Sequence, residues 1–292
     1  MMQEGHFNMM AVTPEERDLR ALAEILHYHS GIVISPEKGS MVQSRLAKRL
    51  RAKGLNDYGS YVELIQSDAG RDELREMISA LTTNVTHFFR ENHHFEILRQ
   101  QALPKLIEHA RAGGRMRIWS AGSSDGQEAY SIAMVLHDLE PNAESLDIRI
   151  LATDIDPRMI SRGKAGLYDP HAIDSIPVKL RERYFIETNG GCQIDDCLRR
   201  LVTFKELNLH HDWPFHGPFD IIFCRNVVIY FAPDAQARLW RRFEEILKPE
   251  GWLFAGHSER VPLGLGSDLR PAGITAYRRA QSKNSSGAPS CH

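Results

Sequence analysis

Between residues 13 and 112, apolar side chains recur at three- and four-residue intervals, the spacing of one helix face. Thr13-Pro14-Glu15-Glu16 reads as a capping box with proline at the first helical position, and Leu19, Leu22, Ile25 and Leu26 follow in helical register. After the break at Ser30 and Gly31, the pattern predicts helices over 36–53, 58–65, 71–81, 91–101 and 104–112. The second stops at Gly54 and the last at Gly113-Gly114. At Met116 the period changes. Short apolar runs at 116–120, 147–153, 219–224, 251–255 and 274–278 read as strands. They alternate with helical stretches over 128–139, 157–166 and 233–247. Such alternation predicts a mostly parallel sheet covered on both faces. Strand-like pieces around Asn189-Gly190-Gly191 predict a small inserted β unit over about 184–209. The expected organisation is a helical domain over 12–85, an α/β domain over 86–280, and a polar, breaker-rich tail over 281–292, with residues 1–11 also a flexible end.

Composition narrows the class. In 292 residues, 42% are hydrophobic and 25% charged, the balance of a folded chain with a real core. No apolar run approaches the ~18 residues of a membrane helix, and the first ten residues lack the apolar segment of a secretory signal. Charges nearly cancel, 36 basic against 38 acidic, without the excess expected of a dedicated nucleic-acid binder. The four cysteines, Cys192, Cys197, Cys224 and Cys291, form no disulfide framework, so a reducing, cytoplasmic setting is expected. Cys192 and Cys197 lack the second close pair of a zinc site, and no metal is expected from them.

Chemistry concentrates where predicted strands end. Ile118 to Ala133 is a strand, a turn with Gly122 and Gly126, and a helix start carrying Glu128. It contains neither a phosphate-binding Gly-Lys-Ser/Thr nor a Gly-x-Gly-x-x-Gly. Alone it could be only a tight turn. One βαβ unit along, Thr153-Asp154-Ile155-Asp156-Pro157 puts an acid where ribose hydroxyls are received. A third strand runs out into Arg225 and Asn226, and residues 247–253 stop a helix before another strand. A loop with an acid and no phosphate-binding base suits a nucleoside without phosphates, and S-adenosylmethionine is such a ligand.

These segments, with Thr82-Thr-Asn-Val-Thr-His-Phe-Phe-Arg-Glu91 and Phe223-Cys-Arg-Asn-Val-Val-Ile-Tyr-Phe231, carry a resemblance over about residues 15–280. The chain resembles the chemotaxis receptor glutamate O-methyltransferases, the CheR family. The resemblance implies a Rossmann-like S-adenosylmethionine-dependent methyltransferase domain, an N-terminal all-helical domain and a small inserted β subdomain. It implies methyl transfer to glutamates on chemoreceptor signalling helices, with S-adenosylhomocysteine as product. By motif, Asn84, Thr86 and Arg90 would line the cofactor cleft, Gly122 would shape its loop, and Glu128 would meet the methionine amino group. Asp154 would hold the ribose, Asn208 and Leu209 would flank adenine, Arg225 and Asn226 would complete the floor, and Tyr230 would sit near the methyl. The loop departs from the commoner family pattern at Ser123, Asp125, Gln127 and Ala129, where Cys, Thr, Glu and Pro are more usual.

Arg90 and Tyr230 are the expected catalytic residues, positioning a substrate carboxylate. Arg90 could instead pair with Glu91 or Glu96 on the surface, and Tyr230 could be a core aromatic beside Phe231. Arg45, Lys48 and Arg49 share one face of the second helix. They are either a solvated basic face or a docking surface for acidic receptor helices. The β insert looks shorter than in relatives that grip a receptor's C-terminal tether, so weak or no tether binding is expected. No membrane insertion, no nucleic-acid partner and a monomeric state are expected. A module that binds the cofactor without turnover is the competing reading. A nucleic-acid methyltransferase would need a base-flipping pocket and a basic channel.

Overall fold

The structure is a computed structural model, and it describes residues 14–264 and 266–281. The tail expected over 281–292 lies, beyond residue 281, outside the described residues, as do the expected flexible start, Thr13 of the capping box and Cys291. The chain divides into two compact units, Met1–Thr83 and Asn84–His292.

The first unit holds α1 (Glu16–Ser30), α2 (Gly39–Lys53), α3 (Tyr58–Gln66) and α4 (Arg71–Leu81). Each buries the apolar stripe its spacing predicts: Leu22, Ile25 and Leu26; Val42, Leu46 and Leu50; Tyr58, Tyr61 and Ile65; Met77, Ile78 and Leu81. The helix expected from Pro36 opens with a 3-10 turn, Pro36–Lys38, before α2. α1 begins at Glu16, and its capping position is Glu15, without a side-chain cap. Asp57 caps α3 by accepting from the Ser60 amide at 2.7 Å. Glu73 is buried at the centre of this unit, 2% exposed. It accepts from Arg49 Nε and Nη2 at 2.8 and 2.6 Å and from the Tyr61 hydroxyl at 2.9 Å, and Lys53 Nζ lies 3.2 Å away.

The second unit opens with α5 (His93–Ile97) and α6 (Leu103–Arg111). The two are joined by a π-helical stretch, Leu98–Ala102, so the two predicted helices form one widened rod. Pro104 has no N–H to continue the α ladder, and the widening directly precedes it. Then follow β1 (Met116–Ala121), α7 (Gln127–Leu139), β2 (Ile148–Asp154), α8 (Pro157–Ala165), β3 (Leu167–Tyr168), α9 (Val178–Tyr184), β4 (Phe185–Thr188), β5 (Gly191–Ile194), α10 (Asp196–Arg199), β6 (Val202–Glu206), β7 (Phe219–Cys224), α11 (Pro233–Ile246), β8 (Leu247–Ala255), β9 (Leu269–Gly273) and β10 (Ala276–Arg279).

The seven-stranded sheet has the order β6-β2-β1-β7-β8-β10-β9. It is parallel from β6 to β8 and antiparallel at β10 and β9. Alternate residues feed two cores. Ile118, Ile221, Phe223 and Phe254 pack in one, with α7, while Trp119, Ile222, Leu253 and Phe243 of α11 pack in the other.

The inserted unit differs from the expected span of 184–209. It is a three-stranded sheet, β3-β5-β4, that starts earlier, at Leu167, and ends at Ile194. Val202–Glu206 belongs instead to the main sheet, parallel to β2. Its alternation buries Val202 and Phe204, a pattern that says strand but not which sheet.

Candidate functional site

β1 lies between β2 and β7, which its chain reaches in opposite directions, so the carboxyl ends of these three strands face the crevice where such sheets bind ligands. Gly122 and Gly126 shape the turn after β1. Gly122 has φ 78°, and a Cβ there would stand 2.3 Å from Val227 Cγ2 in the loop after β7. Gly126 has φ 93°, and its Cβ would meet Phe204 Cζ at 2.7 Å. Neither position accepts a side chain without moving its neighbours. Ser124, a non-glycine at φ 50°, is held there from both sides. Its amide donates to Asp154 Oδ2 at 2.8 Å, and its hydroxyl donates to the Asn84 carbonyl at 2.9 Å.

Asp154 ends β2 and is 8% exposed. Its other oxygen accepts from the Asp156 amide at 2.9 Å. Burial pushes its carboxyl up to about 6, against the two amide bonds that favour the charge. Each oxygen keeps a lone pair for a further donor. Asp156, fully buried, accepts from Asn84 Nδ2 at 3.0 Å and from the Arg158 guanidinium, which fixes the 84–86 segment over this edge. Thr86 and Arg90 are half-buried along that segment, and Arg90 Nη1 donates to the Val85 carbonyl at 3.1 Å.

Glu128 stands in the first turn of α7. Its Oε1 accepts from the Ser120 hydroxyl at 2.7 Å, and its Oε2 meets Arg225 Nη1 at 3.3 Å. Burial raises its carboxyl pKa, with Glu91 and Glu259 adding to the rise, and Arg225 and Ser120 only partly oppose it. Arg225, 6% exposed, also donates Nη2 to the Arg90 carbonyl, so it ties the 84–91 segment to the tip of β7. Asn226 follows at φ 59°, and Tyr230 ends a short 3-10 turn, Val228–Tyr230. Both are half-buried. Asn208 and Leu209 follow β6 at the same edge, where Asn208 Oδ1 accepts from the His210 amide at 2.9 Å. The Leu209 side chain packs in the core with Trp119 and Trp213.

Thus Asn84 and Asp154 meet through Ser124 and Asp156, Arg90 and Glu128 meet through Arg225, and Gly122 lies in the turn after β1. Thr86, Asn208, Leu209, Asn226 and Tyr230 sit on segments flanking the same strand ends. Two of the unusual loop residues answer each other, because Gln127 Nε2 reaches both Asp125 oxygens at 3.2 Å. Ser123 Oγ is buried in the turn without a hydrogen-bond partner. An unmatched hydroxyl, a carboxylate short of donors and an acid with lone pairs left suit a ligand carrying hydroxyls and a cationic amine.

Glu259 is a residue that sequence reasoning missed. It is 3% exposed and accepts from the amides of Gly256, Asn226, Val227 and Val228 at 2.6–3.0 Å. Its only signal was an acid four residues beyond a predicted strand.

In the helical unit, Arg45 and Arg49 face inward to α4. Arg45 Nη1 donates to the carbonyls of Leu81 and Thr82 at 3.1 and 2.7 Å, and Arg49 is committed to Glu73 and, at 3.0 Å, to Glu76. Of the three cations placed on one face of α2 as a solvated or docking surface, Lys48 is exposed, Arg45 and Arg49 are half-buried against α4, and Arg51 is a further exposed cation. A helix C-terminus and two acids of α4 lie within reach of the two arginines, and no spacing rule on α2 alone could reveal that.

Known proteins bear on this geometry. Residues 84–277 match the CheR methyltransferase, SAM binding domain, and residues 17–82 match the CheR methyltransferase, all-alpha domain. A probable chemotaxis protein methyltransferase of Rhizobium etli is 49% identical over 258 residues, 87% of this chain and 96% of the relative. The chemotaxis protein methyltransferases of Klebsiella aerogenes and Escherichia coli are each 40% identical, over 90% and 82% of this chain and 90% and 83% of the relatives. No helix among the described residues is long and apolar enough to cross a membrane.

Proposed function

Because the chain belongs to the CheR methyltransferase family, we propose that it esterifies glutamate side chains on the cytoplasmic methylation helices of chemoreceptors. S-adenosylmethionine is the methyl donor and S-adenosylhomocysteine the product. The observation that carries this reading is a pair of carboxylates, the half-buried Glu128 in the first turn of the helix after β1 and the buried Asp154 at the end of the neighbouring parallel β2, each with acceptor capacity left over.

The donor, when bound, supplies a methyl group on a cationic sulfur. Glu128 accepts the ammonium of its methionine part, and Asp154 the ribose hydroxyls. Asn84 and Thr86 close the cleft from the 84–91 segment. Asn208 and Leu209 flank adenine, and Arg225 and Asn226 form the floor. The substrate carboxylate, with a reference pKa near ~4.3, is already ionised at neutral pH, so the chain need supply no base. Its task is alignment and exclusion of water. Arg90 and Tyr230 bind and orient that carboxylate. The receptor docks by charge on the α2 side, where Lys48 and Arg51 are exposed and Arg45 adds to the field from a half-buried position, while the charge of the half-buried Arg49 is met by Glu73 and Glu76. Weak or absent binding of a receptor tether by the small β unit, and a monomeric, cytoplasmic enzyme, belong to the same reading.

The test is incubation with labelled S-adenosylmethionine and receptor cytoplasmic fragments. Base-labile label on receptor glutamates is expected. Cofactor binding without transfer would replace the enzyme by a regulatory module. Arg90→Ala should lower transfer by about 100-fold while the melting temperature holds; unchanged turnover removes Arg90 from the site.

A further inference from the structure

Glu91, His93 and His94 converge at the start of α5, apart from the carboxylates assigned to the cofactor. One ligand atom from each of the three lies within 4.8 Å of the other two, and Glu91 Oε2, His93 Nε2 and His94 Nδ1 are set apart by their surroundings. All three atoms are buried, and all three lack a hydrogen-bond partner. Orphaned buried polar atoms are rare, and three facing one point call for a physical cause.

The tautomer of His94 sharpens the point. His94 is fully buried, and its Nε2 lies 3.0 Å from the Ile274 carbonyl oxygen, which can only accept. Nε2 therefore carries the ring hydrogen, and a neutral His94 turns an Nδ1 lone pair inward. That lone pair points at Glu91 Oε2, 3.6 Å away. Two acceptors thus confront each other in a buried position. Arg225 Nη2 forms a 3.5 Å ion pair with Glu91 Oε2 but makes no hydrogen bond to it, and donates to the Arg90 carbonyl while Nη1 goes to Glu128. His257 serves the other oxygen, Glu91 Oε1, at 3.0 Å.

We propose that Glu91, His93 and His94 form a binding site for a divalent transition-metal ion of the zinc and cobalt class. Two imidazole nitrogens and a carboxylate oxygen are a borderline N/O donor set that prefers such ions to calcium or magnesium. Metal–ligand bonds of about 2.0–2.2 Å place adjacent tetrahedral ligands roughly 3.3 Å apart. The 3.6 Å between Glu91 Oε2 and His94 Nδ1 is close to that spacing. Thr275, at φ 48°, and the Ile274 carbonyl fix the outer nitrogen of His94, the kind of support a metal-ligating histidine requires. The ion competes with Arg225 for the Glu91 carboxylate, and Arg225 also holds Glu128, so the site adjoins the cofactor cleft through one side chain.

The full, untagged chain, stripped with a chelator, is titrated with Co2+ and followed by visible d–d absorption, then with Zn2+ in competition. One equivalent of Co2+ should give the band, and Zn2+ should remove it. His93→Gln, at a half-buried position, should keep the fold and weaken the metal by at least about tenfold, and Glu91→Gln by a similar factor. No band, or a band of unchanged affinity in His93→Gln, overturns the site, the latter by placing the ion elsewhere among the 14 histidines.

Discussion

Each unit of the chain sets a glutamate against an arginine, Glu73 against Arg49 and Glu128 against Arg225, and the two pairs differ in how completely the carboxylate is met. Glu73 in the helical unit receives two bonds from Arg49, one from Tyr61 and an ion pair from Lys53. Burial pushes its carboxyl up, but the bonds from Arg49, Tyr61 and Lys53 prevail and hold it below the usual range. Glu128 has one hydroxyl and one long contact to Arg225, and burial prevails, so its carboxyl is raised. The same two residue types thus do opposite work. A closed network fixes helices, whereas an incomplete one keeps affinity for a ligand that can finish it.

The largest effect should come from breaking the closed network. Arg49→Ala strands a buried carboxylate and should destabilise the helical unit by about 3–5 kcal/mol in chemical denaturation. Arg49→Met with Glu73→Leu should lose much less, since neither charge is then left alone. If the single and double variants unfold together, the network is not what holds α2 to α4. Next is Glu128→Gln. It should weaken S-adenosylhomocysteine binding by about 10- to 100-fold in calorimetry, the worth of a charged hydrogen bond. It should also shift the melting temperature far less than Glu73→Gln. Equal shifts would erase the distinction between the pairs. A smaller, pH-dependent effect belongs to Asp154. Ionised, it accepts from hydroxyls on both oxygens; protonated, it loses acceptor capacity. With its carboxyl at about 6, cofactor affinity should fall as pH drops through 6, and Asp154→Asn should bind weakly with a flat profile. The smallest effect should be at the surface. Lys48→Gln with Arg51→Gln should reduce receptor methylation a few-fold at low salt and not at high salt.

Much of the fold was legible because its signals are local. Gly70 and Thr82 bracket a strong helical period, and α4 runs over the predicted 71–81. Phe219–Cys224 is buried along its whole length and matches its apolar run. β9 went unseen because Pro271 and Gly273 argue against a strand, yet it is the last strand of the sheet, where a missing N–H is tolerated. In the candidate site, Gly122, Asp154 and Arg225 stand at or just past predicted strand ends and Glu128 opens the helix after one, so the order of elements alone sets them at one edge of the sheet. Glu259 and the Glu91–His94 group could not be placed this way. Their partners, Asn226 to Val228 for the one and Ile274 to Thr275 for the other, are distant in sequence and meet them only after the sheet assembles. The same limit hid the roles of Arg45 and Arg49, whose acceptors sit on another helix.

Glu259 gathers four main-chain amides from both sides of the gap between β7 and β8. The stretch carrying Arg225, Asn226 and Tyr230 therefore has no shape of its own to inherit or to lose. It borrows one from an acid some thirty positions downstream. Any effort to graft this stretch onto another scaffold, or to retune which side chain it accepts, must move both pieces together.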